Sequence, residues 1–265
     1  MPEPVQDIWD TGRAYERYVG RWSRRVARGF LEWLGAPVGL VWADVGCGTG
    51  ALSNTILSLA QPDTVYAIDR SKAFLAGAHH TIADERMRCM QADATALPLA
   101  SAACDVSVSG LVLNFVPDPG AMVREMVRVT RPQGTVAVYV WDYASGMQML
   151  RHFWDVVIEV APRDHGYDEG VRFPLCQPEP LTMLFRAAGL HALAVRAIEI
   201  TTYFRNFEEY WEPFLGKQGP APSYLATLDA ERRERIRALL HARLVRTADG
   251  SITLPARAWA VQGTV

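Results

Sequence analysis

The stretch Val41-Trp42-Ala43-Asp44-Val45-Gly46-Cys47-Gly48-Thr49-Gly50 constrains this chain more than any other. A short apolar run of the buried-strand type passes directly into three glycines at alternate positions. A helical pattern follows, with Ala51, Leu52, Ile56 and Leu57 on one face. Glycine removes the Cβ, so such a turn bends sharply and lets a ligand approach the backbone. The helix beyond it points unpaired N–H groups at whatever lies above the turn. The spacing is G-x-G-x-G with Asp44 two residues ahead, not the G-x-G-x-x-G of nicotinamide dehydrogenases, which disfavours a pyrophosphate-bound dinucleotide.

Strand and helix patterns alternate from there. The spacing predicts strands at 40–45, 64–69, 87–91, 104–109 (continuing toward Leu113) and 135–141, with helices to about 60, through 78, and over 119–130. Arg131-Pro132-Gln133-Gly134 reads as a turn releasing the fifth strand. Alternation of this kind predicts right-handed crossovers and a parallel sheet covered on both faces. Before it, residues 13–34 read as an amphipathic helix, with Tyr15, Tyr18, Val19, Trp22, Val26, Phe30 and Trp33 at three- and four-residue steps. After it the pattern loosens: a helix near 147–160, a Pro/Gly/Asp-rich loop, a helix over 179–188, a sixth strand at 193–203, two helical stretches within 207–247, and a seventh strand from Ile252 to Val265. The expected organisation is a single domain of 265 residues. It has an N-terminal helical segment (1–36), a ligand-binding core (37–141) and cap insertions (142–177 and 206–248).

The formal charge of -2 predicts no bulk attraction to nucleic acid or anionic membrane. Only Lys72 and Lys217 among the 27 basic residues are lysine, a bias carrying no functional weight. Cys47, Cys89, Cys104 and Cys176 have neither C-x-x-C spacing nor a histidine pattern, so no metal site or disulfide framework is expected. The acidic, proline-bearing start Met1-Pro2-Glu3-Pro4 is unlike a secretion signal, and the longest apolar strand run, Val136 to Trp141, is too short for a membrane span. The expectation is a cytoplasmic protein.

The second strand ends in Asp69, nineteen residues beyond Gly50 (69 − 50). A carboxylate there sits beside the glycine turn and can accept both hydroxyls of a ribose. Asp93 follows the third strand on the same sheet edge, placed to accept adenine amino hydrogens. The end of the fourth strand, Ser109 to Phe115, offers backbone carbonyls to an ammonium group. In an open parallel sheet these segments converge on one crevice.

Residues 40–141 thereby resemble the class I S-adenosylmethionine-dependent methyltransferases, in particular the group similar to ubiquinone and menaquinone methyltransferases. Asp44-Val45-Gly46-Cys47-Gly48-Thr49-Gly50 looks like that family's first motif. Asp69, with Arg70 beside it, matches the ribose-binding acid, and Asp93-Ala94 the adenine-binding pair. Cys104-Asp105-Val106 through Phe115, Ser109 included, resembles the fourth-strand motif. Arg131-Pro132-Gln133-Gly134 resembles the turn usually written leucine-arginine/lysine-proline-glycine-glycine. The resemblance implies a Rossmann-like, seven-stranded α/β sheet of order 3-2-1-4-5-7-6 with strand seven antiparallel. It also implies S-adenosylmethionine as methyl donor and S-adenosylhomocysteine as product. Tyr15 to Ser23 resembles segments in which an aromatic residue and an arginine close over the donor's methionine end, which implies roles for Tyr18, Arg21 and Trp22.

Transfer from such a donor is an in-line displacement that needs alignment and exclusion of water. An acceptor of high pKa also needs a base. His152, His165 and Tyr143 are candidates by position alone. Phe153, Trp154, Tyr203, Phe204, Tyr210, Trp211 and Phe214 would line an acceptor pocket or form the core of the cap. A small-molecule acceptor and a monomer or homodimer are expected. A methyltransferase of RNA or protein, a nicotinamide oxidoreductase and a non-catalytic donor-binding protein are the rivals.

Overall fold

A computed structural model describes residues 20–216 and 219–265. Seven strands form one sheet in the order β3-β2-β1-β4-β5-β7-β6. They are β1 (Val41–Val45), β2 (Thr64–Asp69), β3 (Met87–Gln91), β4 (Cys104–Gly110), β5 (Thr130–Trp141), β6 (His191–Phe204) and β7 (Ile252–Thr264). β1 to β5 run parallel, with Val45 level with Ile68, Asp44 with Val108, and Asp69 with Gln91. That register brings the carboxyl ends of β1 to β4 to one edge. Strand seven is antiparallel: Asp142 N–H donates to Arg257 O at 2.9 Å, whereas Gln133 N–H donates to Val265 O at 3.0 Å, so one chain descends as the other rises.

The chain divides into two compact units. The first holds residues 23–140, 175–198 and 258–265, and the second, among the described residues, holds 20–22, 141–174 and 199–257. In the first unit β5 is buried continuously from Val136 to Val140, as a parallel strand covered on both faces must be. Helix α1 (Arg21–Leu34) turns Val26, Ala27 and Phe30 inward, and the Phe30 ring packs on Tyr139 at 4.7 Å. At Gly29 a Cβ would lie 2.9 Å from Ile198 Cγ2, so a larger residue would lever the helix off the sheet. The expected helix began at residue 13; its portion before residue 20, with Tyr15, Tyr18 and Val19, lies outside the described residues.

Two expected boundaries move for local reasons. β4 stops at Gly110 rather than running toward Leu113, because Leu111 turns to φ 64° and a 3-10 turn follows at Leu113–Phe115. The fifth strand starts at Thr130, five residues before its expected start. Cys104 pairs with Thr130 and Val106 with Thr135, so β5 bulges outward over Arg131 to Gly134. Gln133 sits at φ 64° where the related pattern has glycine, a left-handed conformation that is strained for any residue with a Cβ.

The second unit is built on aromatic packing. Phe153 stacks on Phe214 at 4.6 Å and meets Trp154 edge-on at 5.1 Å, and Tyr210 meets Phe204 at 5.4 Å. These rings are almost wholly buried, as is Trp211, so they form a core rather than a lining; only Tyr203 of the expected set is exposed. The loop expected over 161–177 holds a 3-10 turn (Pro162–Tyr167) and a short helix (Glu169–Arg172). Asp168 accepts two bonds from Arg151 Nη1, at 2.7 and 2.9 Å, and the buried Glu169 takes the Trp154 indole N–H at 2.6 Å. Buried carboxylates paired in this way lock the segment onto its neighbouring helix (Gln148–Val160).

Candidate functional site

The glycine turn leaves β1 with all three glycines at positive φ: 77° at Gly46, 54° at Gly48 and 85° at Gly50. Each has a different reason to lack a side chain. A Cβ on Gly46 would sit 2.6 Å from Val112 Cγ1, and one on Gly50 2.5 Å from Ile82 Cδ1. On Gly48 it would meet nothing within 4 Å among the described residues. The turn is pinned to β2 by backbone bonds from Gly46 N–H and Cys47 N–H to Ile68 O, at 2.8 and 3.0 Å. Gly50 N–H then donates to Cys47 O at 2.8 Å, and the helix Ala51–Leu59 begins.

Asp69 stands at the end of β2 beside this turn. Its Oδ2 accepts Gly48 N–H at 2.9 Å and its Oδ1 accepts Ser71 N–H at 2.8 Å. Each carboxylate oxygen keeps a further lone pair for a hydroxyl. Asp93 lies at the end of the adjacent strand, where Ala92 N–H donates to Asp69 O at 3.2 Å and joins the two segments. Its Oδ1 takes the N–H and hydroxyl of Thr95 at 2.9 and 2.6 Å. Those bonds hold its carboxyl below the usual range, with the exposed Arg70 adding to the effect. Asp93 itself is exposed, and Ala94 follows it half-buried.

Asp44 lies under the turn, fully buried. Oδ2 takes the Ser53 hydroxyl at 2.6 Å, while Oδ1 has no partner among the described residues. Burial pushes its pKa up to about 7, against the Ser53 hydrogen bonds and with help from the Asp69 charge. An acid whose pKa is raised on folding holds its proton longer in the folded state. Its stabilising effect is therefore present at low pH and is lost as pH rises from about 4 to 7, on the order of 4 kcal/mol in all. Asp44→Asn should flatten that part of the stability profile. Urea unfolding at pH 5 and pH 8 checks this, and an unchanged pH slope in the variant would refute the assignment to Asp44. Burial also drives the Cys47 thiol well above its ordinary value, so Cys47 serves through its backbone and not as a nucleophile.

Ser109, next to last in β4, has its hydroxyl buried and unpartnered among the described residues. Asn114, in the following 3-10 turn, has both carboxamide atoms in the same condition. Ser53 and Asn114 were not evident from sequence. A serine three residues into the helix after an acidic strand end was a usable signal for Ser53, whereas Asn114 carried none. Asp44, the three glycines, Cys47, Asp69, Arg70, Asp93, Ala94 and Ser109 thus share one sheet edge within the first unit.

The remaining candidates belong to the second unit. Trp22 is buried and packs edge-on against Phe204 at 5.8 Å. Arg21 lies over the Trp22 and Phe204 rings at 4.4 and 4.8 Å and gives Nη1 to Glu209 Oε1 at 2.8 Å. Its Nε and Nη2 are buried without partners among the described residues. Tyr143 is buried against Phe173 at 5.3 Å, a packing position. His152 is half-buried with its pKa lowered by burial, and His165 is exposed on its 3-10 turn. Tyr18 lies outside the described residues. Among the described residues no group of three metal-ligating side chains exists, and no helix is long and apolar enough to cross a membrane.

The strand order and the glycine turn define the Rossmann-like methyltransferase fold. Residues 43–138 match the methyltransferase domain family. The chain is 32% identical over 129 residues to the malonyl-[acyl-carrier protein] O-methyltransferase of Pectobacterium atrosepticum, covering 48% of this chain and 49% of that one, about half the relative's length. It is 26% identical over 188 residues to the demethylmenaquinone methyltransferase of Staphylococcus aureus, covering 66% and 76%. The phosphoethanolamine N-methyltransferase 2 of Haemonchus contortus, solved with phosphomonomethylethanolamine and S-adenosylhomocysteine, superposes with a TM-score of 0.57 at 17% identity. That match covers 95% of this chain and 56% of the other.

Proposed function

We propose that this chain transfers the methyl group of S-adenosylmethionine to a small-molecule acceptor. The observation that carries the reading is the clasp between Gly48 N–H and Asp69 Oδ2, at a glycine whose Cβ would meet no atom within 4 Å among the described residues. That pairing sets a carboxylate suited to ribose hydroxyls against bare backbone. Asp69 would take the two ribose hydroxyls, Asp93 the adenine amino group, and the turn from Gly46 to Gly50 the chain between ribose and sulfur. Asp44 Oδ1 and Ser109 Oγ, both buried and without partners among the described residues, suit the ammonium group of the methionine end.

The donor supplies an activated methyl group on a sulfonium. The residues named here bind, align and exclude water, which is most of what an in-line displacement asks of a protein. A base is assigned to none of His152, His165 or Tyr143, since their surroundings give packing or exposure rather than an activated pair. The near-neutral charge supports a small-molecule acceptor, and four free cysteines support a reducing, cytoplasmic compartment.

Calorimetric titration with S-adenosylhomocysteine, with NADH as the control ligand, tests the reading. Micromolar binding of the homocysteine nucleoside and none of NADH is the expected result; preference for NADH would overturn it.

A further inference from the structure

The loop leaving β4 carries two signs of a binding site that the donor assignment does not consume. Leu111 is held at φ 64°, with its N–H fixed to Tyr139 O at 2.8 Å. A branched residue in that region costs about 1–2 kcal/mol, and such strain concentrates at functional sites. Three residues later both polar atoms of the Asn114 carboxamide are buried without a hydrogen-bond partner among the described residues. More than about nine in ten buried polar groups in folded proteins are bonded, and an unbonded amide costs about 1–3 kcal/mol. A leucine of similar size would serve packing better, so packing does not explain the asparagine.

The loop is fixed in place. Val112 wedges over Gly46, where a glycine Cβ would be 2.6 Å from its Cγ1, and Phe115 N–H closes the 3-10 turn on Val112 O at 2.8 Å. Asn114 is therefore presented by a rigid element adjoining the glycine turn. From Leu111 to Val116 its companions are Leu111, Val112, Leu113, Phe115 and Val116, with no charged side chain.

We propose that Asn114 recognises the methyl acceptor through a hydroxyl group. An ammonium would satisfy only Oδ1 and a carboxylate only Nδ2, leaving the other atom buried and unbonded. A hydroxyl donates to Oδ1 and accepts from Nδ2, and it is neutral, in keeping with a loop whose own residues carry no charge to pair with an ion. The inference rests on the methyltransferase reading and names the acceptor class for that same site.

The test uses the full chain labelled with nitrogen-15 and saturated with S-adenosylhomocysteine. The Asn114 side-chain amide pair is identified by its absence from the spectrum of Asn114→Leu. Phenol is then added as the hydroxyl probe, with anisole, of similar shape but without the donor, as its control. The Asn114 pair should move with phenol and stay with anisole, and Asn114→Leu should bind phenol roughly fivefold more weakly. The same variant should melt no lower than the wild type, because it removes two unbonded buried atoms. A pair that shifts on adding S-adenosylhomocysteine and not on adding phenol would assign Asn114 to the donor and overturn the proposal. Equal response to both probes, no response, or a lower melting temperature would overturn it as well. Failure of the methyltransferase reading is distinct, since the wild type would then not bind S-adenosylhomocysteine at all.

Discussion

Asp69→Ala should weaken binding of S-adenosylhomocysteine by roughly 100- to 10,000-fold. Two hydroxyl hydrogen bonds to a charged acceptor contribute about 1.5–3 kcal/mol each, and every 1.4 kcal/mol is a factor of ten. The same change also frees Gly48 N–H and Ser71 N–H, which Asp69 holds at 2.9 and 2.8 Å, so the turn loses its clasp together with its ribose ligand. Asp69→Asn separates the two effects: it keeps an oxygen for one N–H and loses the charge. An intermediate affinity for Asn and a large loss for Ala, measured by calorimetry, is the expected order. Wild-type affinity in the alanine variant would remove Asp69 from the site.

The second large effect concerns the glycines, which should divide into a structural and a binding position. Gly46→Ala places a side chain at φ 77° and drives its Cβ against three atoms of Val112, at 2.6, 2.8 and 3.0 Å. A β-branched valine cannot swing all three aside. Left-handed strain of about 1–2 kcal/mol plus overpacking of about 1–3 kcal/mol gives about 3 kcal/mol, or roughly 6–12 °C in Tm for a chain of this size. Gly48→Ala meets no atom within 4 Å among the described residues, so its expected stability cost is the strain. Its methyl group projects into the space above the turn, so it should impair S-adenosylhomocysteine binding more than folding. Thermal melts and titrations of the two variants side by side check the division, and equal loss of Tm in both would contradict it.

The parallel core was legible because its signals are local. β2 and β3 fall at the bounds that alternation and turn residues predict, 64–69 and 87–91, and Gly189, at φ 87°, stops the preceding helix as expected. The bounds that moved, at Leu111 and over Arg131 to Gly134, are places where non-glycine residues take positive φ. Composition argues against that conformation, and only the packing of neighbouring segments imposes it. The aromatic residues of the second unit illustrate the other limit. Phe153 and Phe214 are 61 positions apart (214 − 153), and nothing in either neighbourhood distinguishes a stacked core pair from a pocket wall.

By itself the sequence determined the βα alternation, the glycine turn and the acids at the ends of the second and third strands. Each of these depends on residues within a few positions of one another, and local backbone preference carries it. The tertiary structure alone decided that Asp168 belongs to Arg151 and that, among the described residues, one buried oxygen of Asp44 and the buried Asn114 carboxamide have no partner. Burial and partnership depend on which distant segments the folded chain brings together, and no spacing along the chain encodes that.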